Sequence, residues 1–315
     1  MVGPVPLVFS ELITGDRVYG LACLWNLTVR RTKQGKPFYS LEFRDQTGTV
    51  LPAVMWDVDP DNQPEPPLVV LIEGDAGEFQ GSPQIRVQAL TPTREDIGPY
   101  LPGPYRPSED LIEEFSGFIQ LIEDDDLREL VQACLEATPG FWTAPAAIRF
   151  HGAYRGGLLE HTLNVMRVCL NAADIYAGRV NRDLLIATAA LHDIGKSDAY
   201  DSPESRNPTE QERMVGHIVR GAMLVERVAE QIEYNGEIPL ADVVHPIISH
   251  HGELEYGAPI VPGTAEAFIL SGADTLDADV TGYFDMWRDS AEPSDWAYSN
   301  QGRRWVRRPA EPPID

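Results

Sequence analysis

Positive charge is scarce in this sequence. Its 315 residues hold 25 lysines and arginines against 49 aspartates and glutamates, a formal net charge of -24. Only Lys33, Lys36 and Lys196 are lysines. Such a balance opposes broad contact with a phosphate backbone, which is held by Lys and Arg. The acid is unevenly placed: residues 1–105 carry 8 basic and 13 acidic side chains, residues 106–290 carry 13 and 32, and residues 291–315 carry 4 and 4. The acidity sits mainly in the middle stretch, which softens the objection for the two ends. Cysteine is nearly absent as well. Cys23, Cys134 and Cys169 form no paired spacing and no C-x-x-C, so neither a disulfide framework nor a thiolate zinc site is expected. Long apolar runs are missing too. The stretch Leu184 to Leu191 is far short of the roughly 20 residues a membrane span needs, and Met1-Val2-Gly3-Pro4 lacks the basic start of a secretory signal. A cytoplasmic protein with no membrane contact is expected. No internal repeat is visible.

What is present divides the chain in two, as its length favours. From Val18 to Val87, Leu21, Cys23, Trp25, Leu27 and Val29 alternate with other residues, then Tyr39, Leu41 and Phe43 do the same. That is a strand pattern. Gly35-Lys36-Pro37, Asp45-Gln46-Thr47-Gly48 and Gln80-Gly81-Ser82-Pro83 supply turns, giving about five strands, the complement of a small barrel. The Pro/Gly-rich residues 98–107 read as an irregular linker. Beyond Ser108 the period is helical, with helices expected over 108–122, 126–137, 157–176, 183–194, 209–232, 246–251 and 264–278. The expected fold is thus α+β and multidomain: a barrel over 1–97, the linker 98–107, an all-α domain over 108–290, and an Arg/Trp-containing tail over 291–315.

All seven histidines fall between His151 and His251, and the order His161, His192-Asp193, His217, His250-His251, then Asp274 reads as a metal site. His161 shares a helix face with Leu158, Val165 and Val168, so it points inward. His192 and Asp193 close an apolar helix before Gly195, and His217 is placed mid-helix between Gly216 and Gly221. His250-His251 precede Gly252, and Asp274 follows Ala267-Phe268-Ile269-Leu270. A single buried histidine is most often a hydrogen-bonded core residue. Five on inward faces with two carboxylates would leave many buried polar groups poorly satisfied unless a divalent cation used their lone pairs.

His161, His192-Asp193 and Asp274, with the flanks Gly157-Leu158-Leu159-Glu160-His161-Thr162 and Leu191-His192-Asp193-Ile194-Gly195-Lys196, resemble the H…HD…D signature of HD-domain metal-dependent phosphohydrolases. With His217, His250-His251-Gly252 and the preceding barrel, roughly residues 15 to 285 resemble the YhaM-type 3'-to-5' exoribonucleases, an OB-fold joined to an HD domain. The resemblance implies one divalent metal on His161, His192, Asp193 and Asp274. His217, His250 and His251 are extra to that signature, and with Asp193 bridging they are expected to hold a second ion, as in other two-metal phosphoesterases. Ligands this rich in nitrogen favour Mn2+ or Fe2+, with Co2+ or Mg2+ as alternatives. Asp193 and Lys196 are the expected catalytic groups, the Lys196 ammonium meeting a phosphate or leaving oxygen; the bland alternative is a solvated cation at a helix C-terminus. His151, Arg155 and Thr162 are expected to touch phosphate, and His245 to be structural.

In the barrel, Arg30, Lys33, Lys36 and Phe38 offer cations and an aromatic to a single strand, or else form an ordinary solvated hairpin; Trp25 and Trp56 are assigned to the core. Arg303-Arg304-Trp305-Val306-Arg307-Arg308 reads either as a further strand contact or as an unstructured tail. The expected activity is metal-dependent 3'-to-5' trimming of single-stranded RNA, with single-stranded DNA as an alternative substrate, to nucleoside 5'-monophosphates by a homo-oligomer. Two other readings stay open: a phosphohydrolase of small nucleotides, and a non-catalytic nucleic-acid-binding adaptor.

Overall fold

The computed structural model describes residues 4–79, 81–101, 103–106, 108–147, 152–201, 207–288, 295–299 and 304–309. It divides into two compact units, one made of Met1–Pro102 with Trp287–Asp315 and the other of Gly103–Met286.

In the first unit, β1 (Arg17–Arg31), β2 (Pro37–Arg44), β3 (Val50–Trp56), β4 (Leu68–Phe79) and β5 (Ser82–Pro92) close into a barrel in the order β1-β2-β3-β5-β4. Among these five strands, β3 and β5 pair in parallel and the other pairs are antiparallel. This is an OB-fold barrel. Its interior is filled by Val18, Ala22, Leu24, Tyr39, Leu41, Phe43, Val70, Ile72, Ile85 and Val87. The alternation read along β1 holds for only half the strand. A register shift between Leu24 and Asn26 swaps the inward parity, so Ala22 and Leu24 enter the barrel before it and Leu27 and Val29 after it. Leu21 and Cys23 lie outside the barrel core, where Val69 and Tyr100 bury them. That cover comes from the start of the expected linker, where Gly98–Tyr100 forms a 3-10 turn rather than irregular chain. The tail contributes a two-stranded sheet of β6 (Trp296–Ser299) and β7 (Arg304–Arg307).

The second unit is helical: α1 (Ser108–Ile119), α2 (Asp125–Glu136), α3 (Gly157–Ile175), α4 (Arg182–Leu191), α5 (Glu210–Met214), α6 (His217–Gln231), α7 (Leu240–Ser249) and α8 (Ala265–Arg288). Its core joins Leu111 and Phe115 of α1, Leu130 and Cys134 of α2, Leu163 and Met166 of α3, Leu185 and Ala189 of α4, Val225 of α6, Ile247 of α7 and Leu270 of α8. Where one helix is expected over 209–232 there are two, because Gly216 adopts φ 79°, a left-handed conformation that stops α5 and lets α6 begin at His217. α7 starts before Pro246 and carries that proline inside it, contrary to the usual preference for proline in the first turn.

Candidate metal centre

Each histidine of the cluster sits at a helix end or on a buried helix face. His161 lies in the first turns of α3, buried with the apolar residues around it. His192 caps the C-terminus of α4, and Asp193 opens the 3-10 turn Ile194–Asp198. Gly195 in that turn touches α6 so closely that a Cβ would fall 2.1 Å from the carbonyl oxygen of His217. Only glycine lets the two segments meet there. His217 is therefore the first residue of α6, not a mid-helix residue as the sequence pattern suggests. His250 caps α7, and Gly252 at φ 79° turns the chain away after His251.

The five rings are oriented alike. Nδ1 of His192, His250 and His251 bonds the carbonyl oxygens of Ala189, Ile247 and Tyr256 at 2.8, 2.7 and 2.8 Å. A carbonyl only accepts, so each Nδ1 carries the proton. His161 Nδ1 meets Asp277 Oδ2 at 2.6 Å and His217 Nδ1 meets Glu212 Oε1 at 3.2 Å. The Nε2 lone pairs are left to converge. His161 and His192 bring theirs within 3.3 Å of each other, and His161 Nε2 is 3.1 Å from Asp274 Oδ1. Asp193 stands between two sets: Oδ1 lies 3.4 and 3.5 Å from Nε2 of His217 and His250, and Oδ2 lies 3.6 and 3.5 Å from Nε2 of His161 and His192. Donor atoms of His161, His192 and Asp193, and separately of His217, His250 and His251, all fall within 4.8 Å of one another.

This arrangement fits a divalent cation. Asp193 Oδ1, His217 Nε2 and His250 Nε2 are buried with no hydrogen-bond partner, which costs free energy unless something else uses those lone pairs. Histidines that ligate a metal commonly donate the other ring N–H to a carbonyl or carboxylate, and all five do so here. The electrostatics agree. Burial, then the charge of Lys196, depress His217; burial, then His250, depress His251; both rings are therefore neutral at pH 7. Burial disfavours ionised Asp193, but Lys196 and His192 outweigh it and hold its carboxyl well below the usual carboxylate range. Asp274 is likewise held low, against burial, by His161 and His250. Burial also opposes protonation of His161, yet Asp274 and Asp277 push its pKa up to about 10, so a cation there would compete with a proton.

The remaining expected residues are dispersed. Lys196 is mostly buried and its Nζ donates to Asp193 Oδ2 at 2.6 Å, so it is not a solvated cation. Thr162 is fully buried with an unpartnered hydroxyl, Arg155 is exposed in the turn before α3, and His151 lies outside the described residues. His245 accepts the Gly263 N–H at 2.9 Å. On the barrel, Arg30, Lys33 and Lys36 are exposed. Arg30 pairs with Phe38 across β1 and β2, and Phe38 with Trp56 across β2 and β3, which sets the three on one outer row. Trp56, assigned to the core on sequence grounds, is half exposed, its ring 4.6 Å from that of Phe38. The end of β3 carries it past the barrel interior. Sequence reasoning missed Asp277 and Glu212, the carboxylates that orient His161 and His217. Asp277 was detectable, standing one helical turn after Asp274.

The HD domain model matches residues 158–279. A 3'-5' exoribonuclease YhaM from Listeria monocytogenes serotype 4b (strain CLIP80459) is 30% identical over 253 residues, covering 78% of this chain and 80% of the relative. The chain belongs to the YhaM family. Two further YhaM exoribonucleases are 28% identical over 271 residues: that of Geobacillus sp. (strain WCH70), covering 84% of this chain and 83% of its own length, and that of Bacillus subtilis (strain 168), covering 84% and 85%. Among solved structures, the second OB-fold domain of replication protein A from Methanococcus maripaludis aligns with 29% of this chain and 96% of its own at 16% identity and a TM-score of 0.24, which adds nothing to the strand order. The HD match spans α3 to α8, the helices that carry His161, His192, Asp193, His217, His250, His251 and Asp274.

Proposed function

We propose that this YhaM-family chain is a metal-dependent 3'-to-5' exoribonuclease that trims single-stranded RNA to nucleoside 5'-monophosphates. The observation that carries the chemistry is the convergence of five Nε2 atoms and two carboxylates in one buried cluster. His161, His192, Asp193 and Asp274 would hold one divalent cation, and His217, His250 and His251, with Asp193 shared, a second. Such ions polarise a phosphoryl oxygen and acidify a water. The chain's own residues do the rest. The neutral imidazoles of His217 and His251 present lone pairs without losing a proton first, and the Asp277 and Glu212 carboxylates keep His161 and His217 from rotating away. Lys196 places a fixed ammonium beside Asp193, where it neutralises negative charge that gathers on the phosphate or the leaving oxygen. The nitrogen-rich set favours Mn2+ or Fe2+ over Mg2+. The Arg30–Phe38–Trp56 row, with Lys33 and Lys36, gives a strand cations and stacking faces, which favours a polymer over a small nucleotide.

The test is incubation of the purified protein and Mn2+ with a 5'-labelled single-stranded RNA and the matching DNA. A ladder shortening from the 3' end with release of monophosphates is expected on RNA. His192→Ala and Asp193→Ala should each lower the rate by orders of magnitude while strand binding persists. Wild-type turnover in either variant, with metal content measured, would end the assignment.

A further inference from the structure

The tail hairpin sorts its side chains. β6 and β7 pair with Trp296 opposite Arg307 and Tyr298 opposite Trp305. Opposite residues in an antiparallel ladder, and residues two apart on one strand, point to the same face. Trp296, Tyr298, Trp305 and Arg307 therefore share one face, and Ala297 and Val306 share the other. The Tyr298 and Trp305 rings meet edge to face, centroids 5.6 Å apart. Trp296, Tyr298 and Trp305 remain 52%, 50% and 65% exposed. Half or more of each of these three residues meets solvent, on the face that carries Arg307. The charge is unusual for this molecule. In a chain of net charge -24, the described hairpin residues hold Arg304, Arg307 and Arg308 against one acid, Asp295.

We propose that this face is a second binding site for single-stranded RNA, with bases stacking on Trp296, Tyr298 and Trp305 and Arg307 meeting a phosphate. The proposal takes its strand from the exoribonuclease reading above. Cations interleaved with exposed π-faces are the chemistry that holds single strands without regard to sequence. Arg308, already over the Trp287 ring at 4.5 Å, is left out of the contact set.

The experiment measures the affinity of the full-length protein for a fluorescein-labelled oligoadenylate by anisotropy, in EDTA so that binding is read without hydrolysis. Tyr298→Val with Trp305→Val keeps β-branched strand formers and removes the π-faces. This variant should bind about tenfold more weakly or worse. Arg307→Gln should reduce the slope of log affinity against log salt by about 0.7. Trp305→Phe, which keeps a ring, should bind nearly as wild type. Equal weakening by Phe and by the valine pair would mean that hairpin packing, not stacking, had been lost, and would overturn the proposal. So would unchanged affinity in the valine variant, or a change in its sedimentation alone, which would make the face a contact between protein chains. Hydrolysis of bis-p-nitrophenyl phosphate with Mn2+ should be the same in all four proteins. If the wild type fails to shorten RNA with Mn2+, the exoribonuclease reading falls while the binding measurement in EDTA still decides this one.

Discussion

The two oxygens of Asp193 face different neighbours, Oδ1 toward His217 and His250 and Oδ2 toward His161, His192 and Lys196. A bridging carboxylate needs that division. His217→Ala removes one donor from the Oδ1 side and leaves the other set whole. Bound metal should then fall from about two ions per chain to about one, by the two-metal model, with a lower rate and an unchanged fold. Elemental analysis of both proteins checks this; one tightly held ion in each would make the site mononuclear. At this scale the sequence was informative about donors and, Asp277 apart, silent about their anchors. Five histidines near two carboxylates can be counted in a string. The carbonyls of Ala189, Ile247 and Tyr256 that fix three of the rings carry no signature, because every residue has a carbonyl.

Helices α1 and α3 are stitched by Glu114, which accepts from Arg167 at 2.6 and 2.7 Å and from Arg106 at 2.6 Å. Hydrogen bonding to Arg167, against burial and aided by Arg106, lowers the Glu114 pKa from 4.5 to about 2. A folded-state pKa below the unfolded one gives stability that is complete above the unfolded value and is lost as pH falls toward the folded one. The contribution, discounted for partial exposure, is about 2 kcal/mol. Glu114→Gln should thus lower Tm by several degrees at pH 7, and the gap to wild type should close between about pH 5 and pH 2. A gap independent of pH, measured by calorimetry, would show that the ion pairs contribute nothing. Elements were mostly legible from periodicity, since the apolar faces of α3 and α4 and the strand alternation of β2 are plain in the sequence. What escaped were local backbone decisions. The shift at Leu24/Asn26 in β1 changes which parity enters the barrel, and the left-handed Gly216 splits one expected helix into α5 and α6. The first depends on strand pairing that no local pattern records; the second had only a glycine to signal it, a residue that helices also tolerate.

The molecule pairs an OB-fold barrel with a helical unit built around a cluster of candidate metal donors. Replacing Arg30, Lys33, Lys36 and Phe38 together with Ala should raise KM for long RNA and spare kcat, and should leave hydrolysis of bis-p-nitrophenyl phosphate untouched. Steady-state kinetics on both substrates decide it. Unchanged long-RNA kinetics would remove the barrel row from the substrate path.

The helical origin of the donors has a consequence for the protein's lifetime. They are drawn from α3, the end of α4, the start of α6, the end of α7 and α8. Ions held by these two sets would act as cross-links, because they would bind the assembled helices and find no such sets in the unfolded chain. Local opening of these helices, the event a protease exploits, becomes rarer as the ion becomes more abundant. The supply of metal would then set both how fast each molecule works and how many molecules survive to work.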